Sequence, residues 1–271
     1  MKAIPTDHHP DIRVVNLHIT YRCNKRCHQC FDLVDTAPSS SFMALETLES
    51  FIHESVTLKY PWRVIALHGG EPTLHPQFEQ VCQMLSAYKK QHNAAVQLSL
   101  CTNGVGLHVE RGIAVARYWG FEITNSSKSK KSQVSGHIAY TVSPSDLNED
   151  YHLGCWQASA CGLAFHEQGY YECSPAAAAY RVLGYRPPAK TLAQVTVERM
   201  EAGYNAHCKH CGFARKMVTA GDARAPQHSF KKWLFFVCLW FNSKPWAKSS
   251  KTWQKALDDY KRRGAESQHE Q

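Results

Sequence analysis

Strand and helix patterns alternate along the first ~145 residues of this chain, and that alternation constrains its fold more than any single motif does. Arg13 to Thr20 (RVVNLHIT) alternates with β-branched residues and reads as a strand. Leu45 to Tyr60 places Leu45, Leu48, Phe51, Ile52, Val56 and Tyr60 at a helical period. RVIALHGG is an apolar strand stopped by Gly69 and Gly70, Phe78 to Tyr88 is helical, and Val96 to Cys101 is a strand stopped by Thr102, Asn103 and Gly104. A helix at Ile113 to Trp119 and strands at Phe121 to Thr124 and His137 to Val142 complete the run. The pattern predicts an α/β fold with a parallel sheet. In such folds function collects in the loops at the carboxyl ends of the strands. Those loops hold CNKRCHQC, GGEP, TNG and NSSKSK, all directed to one rim.

Composition narrows the class further. The 271 residues carry net charge +8, with 20% charged and 44% hydrophobic residues, which is globular rather than disordered. MKAIPTDHHPDIR has no apolar region behind its lysine, and the longest apolar run, Trp233 to Phe241, is far short of the ~20 residues that span a bilayer. A cytoplasmic protein without a membrane partner is therefore expected. Eleven cysteines in such a chain call for metal or redox chemistry, since disulfides are disfavoured in a reducing compartment.

The cysteines are grouped. Cys23, Cys27 and Cys30 share CNKRCHQC, Cys155, Cys161 and Cys173 lie close together, and Cys208 and Cys211 form HCKHC. The singletons Cys82, Cys101 and Cys238 are read as small buried hydrophobes. Three thiolates on one short loop suit three corners of a [4Fe–4S] cluster and leave one iron open for an outside ligand. Zinc is the alternative, with His18 or His28 completing four ligands.

After Pro144 the alternation lapses. Gly154 to Leu183 is rich in Cys, Gly, Tyr and Ala, and CSPAAAAY sets small residues after a cysteine, as a close backbone approach to a cluster requires. Pro187 to Gly203 contains a short amphipathic helix. From Pro226 onward, nine Lys/Arg face four Asp/Glu and four tryptophans appear. Phe230 to Phe241 is apolar nearly all round, which predicts burial against the barrel rather than a nucleic-acid surface.

CxxxCxxC after a strand, HGGEP at the end of the next and TNG at the end of the third together resemble the radical S-adenosylmethionine superfamily. The resemblance implies a partial (β/α)6 TIM-type barrel with a [4Fe–4S] cluster on Cys23, Cys27 and Cys30. The open iron would bind S-adenosylmethionine, and one electron would cleave it to a 5′-deoxyadenosyl radical. Gly69, Gly70 and Glu71 would hold the methionine ammonium, while Thr102, Asn103, Asn125 and Ser126 are candidates for its carboxylate and ribose. The family often has an aromatic residue before the third cysteine; here Gln29 stands there, so adenine packing would fall to Phe31 or to backbone.

The segment from Cys155 to Cys173 followed by HCKHC resembles the twitch domain, a truncated SPASM domain that carries an auxiliary [4Fe–4S] cluster. Cys155, Cys161, Cys173, Cys208 and Cys211 then compete for four ligand places. These resemblances imply a barrel core over 1–145, a twitch-like domain over 146–225 and a basic segment over 226–271 packing on the barrel. The expected activity is an oxidoreductase that takes hydrogen from a sugar-like or aminocyclitol-like small molecule, supplied with electrons by a flavodoxin- or ferredoxin-type donor. A radical epimerase with a cysteine hydrogen donor, a peptide maturase and a non-catalytic metal-binding module are the alternatives.

Overall fold

The computed structural model describes residues 9–25, 30, 32–34, 41–125, 155–184, 186–208 and 211. Its elements are β1 (Val14–Thr20), α1 (Leu45–Thr57), β2 (Val64–Gly69), α2 (Phe78–His92), β3 (Gln97–Thr102), α3 (Leu107–Tyr118) and β4 (Glu122–Asn125). There follow α4 (Trp156–Cys161), β5 (Leu163–His166), β6 (Gly169–Tyr171), α5 (Ser174–Leu183), α6 (Val197–Glu201) and α7 (Tyr204–His207). The expected strand at 137–142, the NSSKSK loop beyond Asn125 and the Trp-rich tail lie outside the described residues.

The strands form one sheet in the order β4-β3-β2-β1-β5-β6, parallel throughout except for β6, which runs antiparallel to β5. This is an α/β fold with a mostly parallel sheet. Each of β2, β3 and β4 lies parallel beside its predecessor, as consecutive βα units do. The cysteine-rich segment, where the sequence predicts no strand, adds β5 directly beside β1, pairing Val15 with Leu163 and Leu17 with Phe165. Strands of four and three residues around a tight turn are too short to show a period.

Every residue of β1 is buried, consistent with a strand hydrogen-bonded on both edges and covered on both faces. Val15, Leu17 and Ile19 join Ile65, Leu67, Leu98 and Leu100 of the neighbouring strands in the core, closed by Phe51 of α1 and Leu85 of α2. Helix α1 stops at Thr57, short of the predicted Tyr60, because Lys59 turns to φ 46 and Pro61 follows. Helix α3 starts earlier than predicted, at Leu107, because Gly106 at φ 108 turns the chain into it.

Gly69 sets the geometry of the rim. It takes φ +119, and a Cβ there would lie 2.0 Å from the Thr20 carbonyl oxygen. A Cβ on Gly70 would lie 2.3 Å from the Arg22 carbonyl oxygen. The two glycines let the end of β2 lie flat against the chain leaving β1, where Gly70 N–H donates to Thr20 O at 2.9 Å and Glu71 N–H to Arg22 O at 2.7 Å.

Candidate active site

Glu71 ties two strand ends together. Its carboxylate is fully buried and accepts from the Thr102 hydroxyl at 2.9 and 3.0 Å, the Thr73 hydroxyl at 2.8 Å, the Asn103 N–H at 2.9 Å and the Thr73 N–H at 3.3 Å. All of these donors are neutral. The Thr102 hydroxyl in turn accepts from Gly104 N–H at 3.2 Å. GGEP and TNG, separate in sequence, are thus one hydrogen-bonded unit at the carboxyl ends of β2 and β3.

That unit reaches the first cysteine loop through Asn103. Its side-chain amide donates to Asn24 Oδ1 at 2.8 Å and lies 3.8 Å from Cys23 Sγ, while Asn24 Nδ2 donates to Val105 O at 2.6 Å. Lys25 N–H also points at Cys23 Sγ, at 3.4 Å. Burial, the Asp32 carboxylate and Cys23 together push the Cys30 thiol up to about 12. A buried thiol held protonated in this way fits a site where a bound cation stabilises the thiolate. Cys27, Gln29 and Phe31 lie outside the described residues, as does Ser126. Asn125 ends β4, and its amide lies over Gly104, where a Cβ would come within 2.2 Å of Asn125 Oδ1.

Three histidines form a row across β2, β1 and β5. His18 pairs in register with His68, and His166 follows the Leu17–Phe165 pair on β5. The His18 and His68 rings stack with centroids 5.1 Å apart, and His68 Nδ1 lies 3.7 Å from Asp32 Oδ1. His18 Nδ1 lies 3.0 Å from the Tyr21 hydroxyl, which donates to Ala177 O at 3.1 Å. Arg181 from α5 lies over the Tyr21 ring at 3.4 Å and donates to Asp32 O at 2.5 Å. Burial, aided by Arg181, holds the His166 imidazolium pKa down to about 3. None of these except His18 stands out in the sequence reading. The signal was present: Leu17-His18 and Leu67-His68 occupy matching places near the ends of adjacent strands.

The later cysteines converge in part. Cys173 caps α5, and burial pushes its thiol up, opposed by His207 and reinforced by Cys211. Cys208 is likewise pushed up by burial, with Cys211 and Cys173 adding to the shift against His207. Cys161, at the end of α4, is raised by burial and by Cys173. Cys155 caps the start of α4 and is buried. His207 Nε2 lies 3.7 Å from Cys173 Sγ and its Nδ1 lies 2.5 Å from Glu172 Oε1, a buried carboxylate–imidazole pair that the sequence reading misses. The alanines after Cys173 have a packing role here: Ala176 and Ala177 fill the core against Ala164 and Tyr171. Cys82 is buried as expected. Cys101 is half-buried, and its thiol is pushed up to about 12 by burial and then by Asp32, Cys161 and Glu71, so it borders the site instead of filling the core.

Over 147 residues the chain is 29% identical to the S-adenosylmethionine-dependent nucleotide dehydratase of Thermoplasmatales archaeon (strain ISO4-H5), covering 50% of this chain and 48% of the relative. Over 95 residues it is 30% identical to the GTP 3′,8-cyclase of Campylobacter jejuni subsp. doylei, covering 34% of this chain and 28% of that one. Both relatives are radical S-adenosylmethionine enzymes, the superfamily whose motifs the sequence resembles. The chain spans about half or less of the length of these curated relatives. Homologues of this kind imply a [4Fe–4S] cluster and S-adenosylmethionine. Among solved structures, BtrN in complex with AdoMet and 2-DOIA aligns over 80% of this chain and 91% of that chain, with TM-score 0.47 and 13% identity. No family model matches the chain. Among the described residues, no helix is long and apolar enough to cross a membrane.

Proposed function

We propose that this chain is a radical oxidoreductase that removes a hydrogen atom from a polyhydroxylated small molecule, sugar-like or aminocyclitol-like. The observation that carries this reading is the hydrogen-bonded unit of Glu71, Thr102 and Asn103, which brings GGEP and TNG against Cys23. Cys23, Cys27 and Cys30 would hold a [4Fe–4S] cluster, which supplies one electron to cleave S-adenosylmethionine to methionine and a 5′-deoxyadenosyl radical. Glu71, with Gly69 and Gly70, would take the methionine ammonium, and an ammonium among neutral donors would give the buried carboxylate its countercharge. Thr102, Asn103, Asn125 and Ser126 would fix the rest of the cofactor. The names of the two sequence relatives favour a nucleotide as the specific substrate, since its ribose is also polyhydroxylated.

Cys173, Cys208 and Cys211, with Cys155 or Cys161, would hold a second [4Fe–4S] cluster in a twitch-like unit. Fully ligated by the protein, that cluster would accept the electron left on the substrate, and a flavodoxin- or ferredoxin-type protein would supply the first one. Epimerisation is the second reading, favoured by Cys161, whose thiol burial and Cys173 push up and which in turn raises Cys101. The test is anaerobic reconstitution followed by measurement of 5′-deoxyadenosine. The wild type should release it under reduction, and the chain with Cys23, Cys27 and Cys30 all changed to Ala should release none. Release by that triple variant would overturn the assignment.

A further inference from the structure

Three side chains to which the radical reading gives no role meet at the carboxyl end of the sheet. His18 on β1 and His68 on β2 are a register pair, and Asp32 comes from the loop after Cys30. One donor atom from each lies within 4.8 Å of the other two. His18 is 2% exposed and Asp32 6% exposed.

The tautomer of His18 follows from its neighbours. The Tyr21 hydroxyl spends its proton on the Ala177 carbonyl, so it can only accept from His18, and Nδ1 must carry the ring proton. Nε2 is then a bare lone pair, and among the described residues it has no hydrogen-bond partner. Burial, with His68, His166 and Arg181 adding to it, keeps this ring neutral. A buried imidazole whose far nitrogen is fixed by a hydrogen bond is how proteins orient a metal ligand.

We propose that His18 Nε2, His68 Nδ1 and the Asp32 carboxylate form a mononuclear site for a divalent transition metal, separate from the thiolate-held iron. Ligands about 2.0–2.2 Å from a metal stand roughly 3.4 Å apart at the tetrahedral angle, and His68 Nδ1 and Asp32 Oδ1 are already 3.7 Å apart. Two imidazoles and one carboxylate select Zn, Fe(II), Co(II) or Mn(II) over Mg and Ca, and three protein ligands leave positions open. Those positions suit an oxygen of the substrate: a hydroxyl, carboxylate or phosphate. The Arg181 guanidinium is a like charge beside a dication, so an anionic oxygen donor there would offset both. Tyr21 is the positioning residue, because its hydroxyl sets the His18 tautomer.

Mn(II) alone is the probe, because thiolates compete for it weakly. The full chain, anaerobically reconstituted and then stripped of loosely held metal, is titrated with Mn(II), and free ion is read by its electron paramagnetic resonance signal. One Mn(II) per chain is expected to bind, with affinity reduced more than tenfold in His18→Gln and His68→Gln. Tyr21→Phe, which keeps the ring under Arg181, should weaken binding 10–100-fold. His75→Gln, at a buried histidine bonded to Met43 O, should leave it unchanged. Absence of saturable binding, or unchanged affinity in Tyr21→Phe and His18→Gln, overturns the site. Cluster content and 5′-deoxyadenosine release are measured on the same samples, so failure of the radical reading shows separately from failure of this one.

Discussion

Glu71 is legible in the sequence as part of GGEP, but not as the acceptor of five hydrogen bonds from Thr73, Thr102 and Asn103. The motif names the residue; only the fold shows that TNG supplies its donors. In Glu71→Gln an amide N–H would face these donors and the countercharge for an ammonium would be lost. S-adenosylmethionine binding should weaken by roughly 1.5–3 kcal/mol with iron content unchanged, as isothermal titration can show. Gly69 gives a second residue-scale test. Gly69→Ala sets a methyl against the Thr20 carbonyl at a φ that side chains rarely adopt, whereas Gly120, at φ +83, has no atom within 4 Å of a Cβ. Denaturant unfolding should show a loss of ~1–2 kcal/mol for Gly120→Ala and clearly more for Gly69→Ala, where the clash adds to the backbone strain. Equal losses would mean that the rim relaxes around the methyl.

At the level of elements, β1 to β4 and α1 to α3 could be read from period and turn residues because each buries a long face. Their ends could not, since Lys59 and Gly106 decide them through backbone conformation. Strands β5 and β6 were hidden by their shortness, and the Glu172–His207 pair by the 35 residues between its members. The cysteine elements carry the second-cluster proposal. Reconstituted protein should bind about eight irons if two clusters form. Cys208→Ala or Cys211→Ala should then impair the second cluster while 5′-deoxyadenosine still forms and substrate oxidation stops. Four irons in the wild type would remove the auxiliary cluster from the mechanism. If Cys161→Ala keeps its irons and its 5′-deoxyadenosine yet loses product, the thiol is a hydrogen donor and the net reaction is an epimerisation.

For the whole molecule, the buried histidines predict how stability follows pH. The folded-state values of His18 and His166 are depressed, chiefly by burial, so the unfolded chain binds their protons first. Stability contributed by these rings is present above about pH 6.5 and is lost as pH falls below it, for His166 down to about 3. Denaturant midpoints of the metal-free chain should drop between pH 7.5 and 5, and His166→Gln should flatten that slope; a midpoint that rises toward acid would contradict the burial argument. The shared strand has a further consequence, in the order of synthesis. Strand β1 leaves the ribosome early, yet its partner for Val15 is Leu163. Until that partner arrives, one edge of an apolar strand stays open, a template for pairing with another chain. Long-range parallel closure of this kind is slow. A chain cut after Asn125 should therefore associate through Val14 to Thr20, and β1 should be the last segment to exchange its amide hydrogens in the complete protein.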